Sequence, residues 1–209
     1  MKILAINGSH RKGKNTAALL NLALEEAAAL GASTELLELS DYTIKLCLSC
    51  NKCLGKPQCS IADDDMAVLG GKLLEADGII LGSPVYWANV STLMKNFMDR
   101  TRYLHMVGNM LAGKVGGAVT NAGLRNGGQE ATLRIMEFFL AAQGLHVIDS
   151  RNQEGPIMTS GVAGSLMADI KEGKVVWRRS VMEDEGAVMA AKQLGRNMVA
   201  AIKSLKKTT

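Results

Sequence analysis

The stretch Lys2-Ile3-Leu4-Ala5-Ile6-Asn7-Gly8-Ser9-His10-Arg11-Lys12-Gly13-Lys14-Asn15-Thr16 decides the architecture. Residues 2–7 are a short apolar run, the pattern of a strand buried on both faces. Residues 16–30 follow with Leu20, Leu24, Ala27 and Leu30 on one helical face, and Gly31 is placed to end that helix. A strand, a glycine-containing loop and a helix in that order aim free N–H groups and the positive end of a helix dipole at the loop. Ser9, Asn15 and Thr16 add side-chain hydrogen bonds and Arg11 a charge, so the loop reads as a cradle for a phosphate. No Gly-Lys-Ser/Thr closes it, and it is not Gly-x-Gly-x-x-Gly. An ordinary polar turn is the alternative.

The same alternation continues outward. Strands are expected at 34–39, 78–83, 115–121 and 145–149, and helices at 63–76, 91–103, 129–143 and 184–205. The last helix carries Val188, Ala191, Leu194, Met198, Ile202 and Leu205 as its apolar stripe, with acids at its start and lysines at its end. Such a chain predicts an α/β, doubly wound three-layer sandwich around a five-stranded parallel sheet of order 2-1-3-4-5. It reads as a single domain over 1–209, with a Cys-rich loop at 41–62 and an irregular insertion at 150–182 that has room for a hairpin turning at Glu172-Gly173. The acidic run Asp63-Asp64-Asp65 is read as a helix cap rather than a metal site.

In such sheets ligands sit beyond the C-terminal strand ends, near the switch between strands 1 and 3. Two further loops fall there. Gly82-Ser83-Pro84-Val85-Tyr86-Trp87-Ala88-Asn89 places two of the chain's few aromatic side chains where they can wall a flat ring, or plug the core or an interface. Thr120-Asn121-Ala122-Gly123-Leu124-Arg125-Asn126-Gly127-Gly128-Gln129-Glu130 supplies glycines for close backbone approach.

All four cysteines fall in Cys47-x2-Cys50-x2-Cys53-x5-Cys59. Two successive C-x2-C steps allow three thiolates to converge on one cluster, with the fourth reaching round after a Gly-Lys-Pro turn. Zinc, or thiols and disulfides without metal, are the alternatives; separated C-x2-C pairs are the usual zinc pattern, and disulfides are disfavoured in a reducing compartment. The three histidines carry little weight, His10 being read as a solvent-facing loop residue.

Composition limits the rest. Of 209 residues, 47% are hydrophobic and 4% aromatic, and 24 Lys+Arg against 20 Asp+Glu leave a net charge of +4. The charges are interspersed, so neither a basic face nor a stacking platform for nucleic acid is visible. No apolar run approaches the ~18 residues of a membrane span, and no secretory leader is read at the start. A cytoplasmic protein without membrane or nucleic-acid partners is the expectation.

Gly8-Ser9-x-Arg11-x-x-x-Asn15-Thr16, Gly82-Ser83-Pro84-Val85-Tyr86-Trp87 and Gly127-Gly128-Gln129-Glu130 resemble the NADPH-dependent FMN reductase group of flavodoxin-like proteins. The compact cysteine pattern is similar to that of the iron–sulfur flavoproteins within it. The resemblance covers about residues 1 to 149 and the final helix; Lys14 departs from it, where glycine is common. It implies a flavodoxin-like fold, FMN, a 4Fe-4S cluster and NAD(P)H or ferredoxin as electron donor. Ser9, Arg11, Asn15 and Thr16 would hold the FMN phosphate. Pro84, Val85, Tyr86 and Trp87 would line the ribityl chain and ring, with Thr120, Asn121 and Gly123 closing the pocket, and Cys47, Cys50, Cys53 and Cys59 would ligate the cluster. It also implies a homodimer or homotetramer passing electrons to a small-molecule acceptor, with no catalytic side chain required because the cofactors carry the chemistry. The rival readings are a plain flavin, quinone or nitro reductase without a cluster, a non-enzymatic flavodoxin-like carrier, and a redox sensor switching through the Cys loop.

Overall fold

The computed structural model describes residues 1–152 and 161–208. Five strands, β1 (Lys2–Asn7), β2 (Ser33–Glu38), β3 (Gly78–Pro84), β4 (Val115–Ala122) and β5 (His146–Val147), run parallel in the order β2-β1-β3-β4-β5. This is the expected flavodoxin-like order. Every residue of β3 and β4 is buried, as a parallel strand covered on both faces must be.

The pleat of β1 divides the interior in two. Leu4 and Ile6 point to a core that also holds Leu69 and Leu73 of α2 (Met66–Glu75), Phe97 of α3 (Thr92–Arg100) and Leu133, Met136 and Leu140 of α5 (Gln129–Ala142). Ile3 and Ala5 point the other way, to Leu20 and Ala23 of α1 (Asn15–Ala29) and to Ala191, Leu194, Met198 and Ile202 of α6 (Glu185–Thr208). Val188 and Leu205 of the expected stripe are partly buried at the edge of that core.

Several boundaries differ from the sequence reading. The helix expected over 91–103 ends at Arg100 and restarts as α4 (Arg102–Met106), because the buried Thr101 hydroxyl donates back to Met98 O at 2.7 Å and accepts Gln143 Nε2 at 3.1 Å. The fifth strand is only two residues long. Asn197 of α6 donates to the carbonyls of Asp149 and Arg151, at 2.7 and 2.8 Å, and so draws the chain off the edge of β4. The freed edge of β4 is taken by a sixth strand, β6 (Val162–Ser165), which pairs in parallel with Val119 to Ala122.

The segment read as an irregular insertion at 150–182 thus contributes a strand to the main sheet. It continues as an antiparallel hairpin, β7 (Met167–Lys171) and β8 (Lys174–Trp177), turning at Glu172-Gly173, where both residues have positive φ. That is the two-residue turn favoured between twisted strands. Residues 153–160 of that segment lie outside the described residues.

α1 and α6 cross at small residues. A Cβ built on Gly195 would lie 2.2 Å from Ala23 O, a backbone atom that cannot rotate aside. Gly195→Ala is expected to cost about 2 kcal/mol or more, lowering Tm by roughly 4–8 °C. Thermal unfolding by circular dichroism measures it, and an unchanged Tm would show that the helices part without cost.

Candidate functional site

The loops after β1 (residues 8–14, L1), β3 (85–91, L2) and β4 (123–128, L3) meet at one edge of the sheet, fastened by side chains at the strand ends. Gly8 N donates to Gly82 O at 2.8 Å, and the Ser91 hydroxyl donates to Gly8 O at 2.5 Å. Ser91 N donates to the Ser83 hydroxyl, and the Thr120 hydroxyl donates to Ser83 O at 2.7 Å. The Thr16 hydroxyl donates to Asn121 Oδ1 at 2.7 Å, joining the start of α1 to the end of β4. Thr16, Thr120 and Asn121 are each at most 5% exposed. The structure therefore uses these three, expected at the ligand, as ties beneath the loops.

Asn15 is also engaged. Its Oδ1 accepts Val181 N at 3.1 Å, anchoring the chain before α6. Ser9 is buried and accepts Arg11 N at 3.1 Å, a local turn that shapes L1. Behind L1 stands a group that the sequence reading passed over. The carboxylate of Glu38, at the end of β2, accepts Asn7 Nδ2 at 2.6 Å and Gly13 N at 3.1 Å, and Asn7 Oδ1 in turn accepts Ser9 N. No spacing rule marks Glu38 in advance, because its role depends on β2 lying beside β1.

Arg11 remains exposed and has no ion pair among the described residues. The N-cap of α1, Lys14, makes no side-chain cap bond, and the first turn of α1 contains no acid. The opening N–H groups of a 15-residue helix therefore face L1 without a protein side chain capping them. An uncapped helix start beside an exposed guanidinium fits a phosphate.

L2 presents the aromatics. Tyr86 and Asn89 exchange backbone hydrogen bonds at 2.9 and 3.0 Å around Trp87 and Ala88, whose φ values are +51° and +55°. Two non-glycine residues in the left-handed region cost about 1–2 kcal/mol each, and strain of this kind collects at functional sites. The turn holds Trp87 fully exposed and Tyr86 half-exposed, with the His10 ring edge-on to Tyr86 at 6.5 Å. Gly128 of L3 braces it, since a Cβ there would lie 2.6 Å from Ala88 Cα. Pro84 is buried and Val85 half-buried beneath. On the L3 side, Trp177 of the β7–β8 hairpin stands 3.6 Å from where a Gly123 Cβ would be. The sequence reading offered no reason to place Trp177 there. A cavity of about 520 Å³ opens beside L3 and the start of α5, lined by Arg125, Gly128, Gln129, Ser165, Arg178 and Asp184.

The Cys loop leaves the end of β2 and is zipped at its base. Thr43 N donates to Asp65 and Asp65 N to Thr43 O, while Lys45 N donates to Asp64 at 3.0 Å. Asn96 and Arg100 of α3 hold Ile44 O and Lys45 O, and Arg102 of α4 holds Asn51 Oδ1 at 2.8 Å. Asp64 and Arg100 form a fully enclosed ion pair. The acidic run therefore does more than cap a helix: Asp64 does accept Met66 N at 3.1 Å, but its main partner is a buried arginine. Burial alone raises the Asp64 carboxyl, yet Arg100 and the Lys45 and Met66 N–H groups outweigh it and hold it below the usual carboxylate range.

All four cysteines are free; Cys47 and Cys50 are exposed, and Cys53 and Cys59 are half-buried against the α2–α3 core. Ser49 and Asn51, on either side of Cys50, adopt left-handed φ and fold the loop back on itself. The Ser60 hydroxyl, 3.1 Å from the Cys50 sulfur, and the Lys52 backbone hold that thiol below its ordinary range. Among the described residues no three His, Cys, Asp or Glu side chains are gathered as a metal cage. The donor set itself, four unbridged thiols in one loop, has the chemistry of an iron–sulfur ligand set. A buried Arg100 Nε, without a hydrogen-bond partner among the described residues, adds an unanswered donor beside the loop.

Comparison with known proteins agrees with this fold. The sequence model of the family described as NADPH-dependent FMN reductase matches residues 1–152. An iron-sulfur flavoprotein of Archaeoglobus fulgidus is 39% identical over 99% of this chain and 98% of its own. Another, of Methanocaldococcus jannaschii, is 37% identical over 99% of this chain and 100% of its own. Among solved structures, the NAD(P)H:quinone oxidoreductase of Methanothermobacter marburgensis superposes with a TM-score of 0.67 at 15% identity, over 95% of this chain and 96% of its own. No helix among the described residues is long and apolar enough to cross a membrane.

Two measurements check the ties. In protein freed of ligands, a double-mutant cycle of Thr16→Val and Asn121→Ala should show a coupling of about 1 kcal/mol; additive effects would mean that the two side chains do not bond each other. Asp64→Asn should destabilise by about 3–5 kcal/mol, because it leaves Arg100 buried without its anion. A carboxyl held low in the fold stabilises fully above its unfolded pKa of about 3.9 and loses that contribution as pH falls through the lower folded value. The Tm gap between wild type and Asp64→Asn should therefore persist from pH 8 to 5 and close only below about pH 4. A gap unchanged to pH 2 would exclude the pair as its source.

Proposed function

The chain belongs to the NADPH-dependent FMN reductase family and, within it, to the iron–sulfur flavoproteins, and on that premise we propose how its site works as a flavin-dependent oxidoreductase. The α1 N-terminus and Arg11 bind the FMN phosphate, with Ser9, Asn15 and Thr16 fixing L1 and the helix start around it. Pro84, Val85, Tyr86 and Trp87 of L2 wall the ribityl chain and ring, while Thr120, Asn121 and Gly123 set the opposite side. Cys47, Cys50, Cys53 and Cys59 hold a 4Fe-4S cluster. Once bound, FMN and the cluster supply the exchange between two-electron and one-electron transfer. The protein's part is placement: L2 excludes water from one face of the ring site, and the Cys loop leaves the same sheet edge as L1. NAD(P)H or ferredoxin donates the electrons, and a small molecule accepts them.

The observation that carries this reading is the uncapped, acid-free start of α1 next to Arg11, which has no ion pair among the described residues, on the sheet edge from which a loop of four free cysteines departs. Exposed Leu46, Leu48 and Leu54 on the Cys loop, together with the fully exposed Trp87, support assembly into a homodimer or homotetramer that covers them. A cytoplasmic setting suits four reduced thiols. The rival, a flavin-dependent reductase without cluster, draws on the dispersed placement of the four sulfurs.

Purification without oxygen, followed by iron and acid-labile sulfide assays, separates the two. Roughly four of each per FMN are expected for a four-iron cluster; flavin without iron would leave only the rival. Cys50→Ser should abolish the cluster absorbance and keep FMN bound. Loss of both would show that the Cys loop also builds the flavin pocket.

A further inference from the structure

Arg100 is the last residue of α3, and its side chain is completely enclosed. Nη1 donates to Lys45 O and to Asp64 Oδ2, both at 2.5 Å, and Nη2 donates to Asp64 Oδ1 at 3.2 Å. One guanidinium thus closes both ends of the Cys loop, just before Cys47 and just after Cys59. Its Nε–H is buried and has no hydrogen-bond partner among the described residues. An unanswered buried donor is destabilising, and that cost disappears when an acceptor is brought to it. Asp64 cannot be that acceptor: its two oxygens already receive Lys45 N, Met66 N and the two Nη groups.

The group on hand is Cys59. It packs half-buried against the core that also holds Phe97 and Tyr103, on either side of Arg100 in the chain. A ligand thiolate needs just such a donor, because hydrogen bonds to cluster sulfurs stabilise the more negative, reduced state and so raise the potential. Asp64 neutralises the guanidinium overall, so what reaches the sulfur is a directed N–H dipole and not a bare charge.

We propose that Arg100 Nε–H donates a hydrogen bond to the Cys59 thiolate when the loop is loaded, making Arg100 the residue that positions the fourth ligand and raises the reduction potential of the centre. This inference rests on the cluster reading of the four cysteines. It makes Arg100 a positioning residue, acting through Cys59.

The test uses holoprotein purified without oxygen and labelled with arginine carrying 15N at Nε. Pulsed EPR of the reduced cluster should show a weak 15N coupling. That coupling should disappear in Arg100→Lys, which keeps the cation and its reach to Asp64 but has no Nε–H. It should persist in Arg102→Lys, which alters only the contact with Asn51. A potentiometric titration of Arg100→Lys, loaded with the wild-type iron content, should give a lower midpoint than wild type. An unchanged midpoint, or labelled wild type without the coupling, overturns the proposal. If Arg100→Lys takes up no iron, the wild-type and Arg102→Lys spectra decide alone. Absence of iron in wild type removes the cluster reading and this inference together, whereas iron without the coupling removes only Arg100.

Discussion

The ends of β1, β3 and β4 run out of strand partners at the same edge, and a small set of buried hydroxyls and amides takes over there. Ser83, Ser91, Thr16, Thr120 and Asn121 supply the hydrogen bonds that the ladders no longer make. A buried polar group left unpaired would cost more than a paired one gains, so the loops have few arrangements open to them. L1 is fixed through Gly8, L2 through Ser83 and Ser91, and L3 through Asn121. The positions of Arg11, Trp87 and Gly128 all follow from that fastening.

Rigidity beneath permits strain above. The turn at Trp87 and Ala88 keeps two side chains in left-handed backbone because Tyr86 and Asn89 lock it on one side and Gly128 packs against it on the other. A turn relaxed by glycine would reach the same shape, but it would not carry a tryptophan at its tip. The Cys loop follows the opposite plan. Its base is closed by backbone bonds between 43–45 and 63–65 and by the Arg100–Asp64 pair, while Cys47 and Cys50 stay exposed at the far end. The loop therefore combines a firm base with an exposed tip.

Most of the architecture is legible from periodicity, because a parallel sheet covered on both faces needs continuous apolar strands and striped helices. β1, β3, β4 and α6 all satisfy that requirement locally. The errors lie where a distant side chain decides. Asn197 shortens β5, Thr101 breaks a helix, and β6 takes the vacated edge of β4. The hairpin turn at Glu172-Gly173 was visible because its geometry is set by two adjacent residues.

The candidate site divides in the same way. The sequence by itself determined the strand–loop–helix at L1, the aromatic pair at L2 and the clustering of four cysteines, since each is a local pattern with a local physical meaning. Only the tertiary structure decided which of those residues face outward. Thr16, Thr120 and Asn121 turn inward as ties, Glu38 comes to stand behind L1, Trp177 comes over Gly123, and Arg100 reaches the loop that holds Cys59. Each of these depends on two elements far apart in the chain being brought side by side, and no spacing within either element records the distance between them.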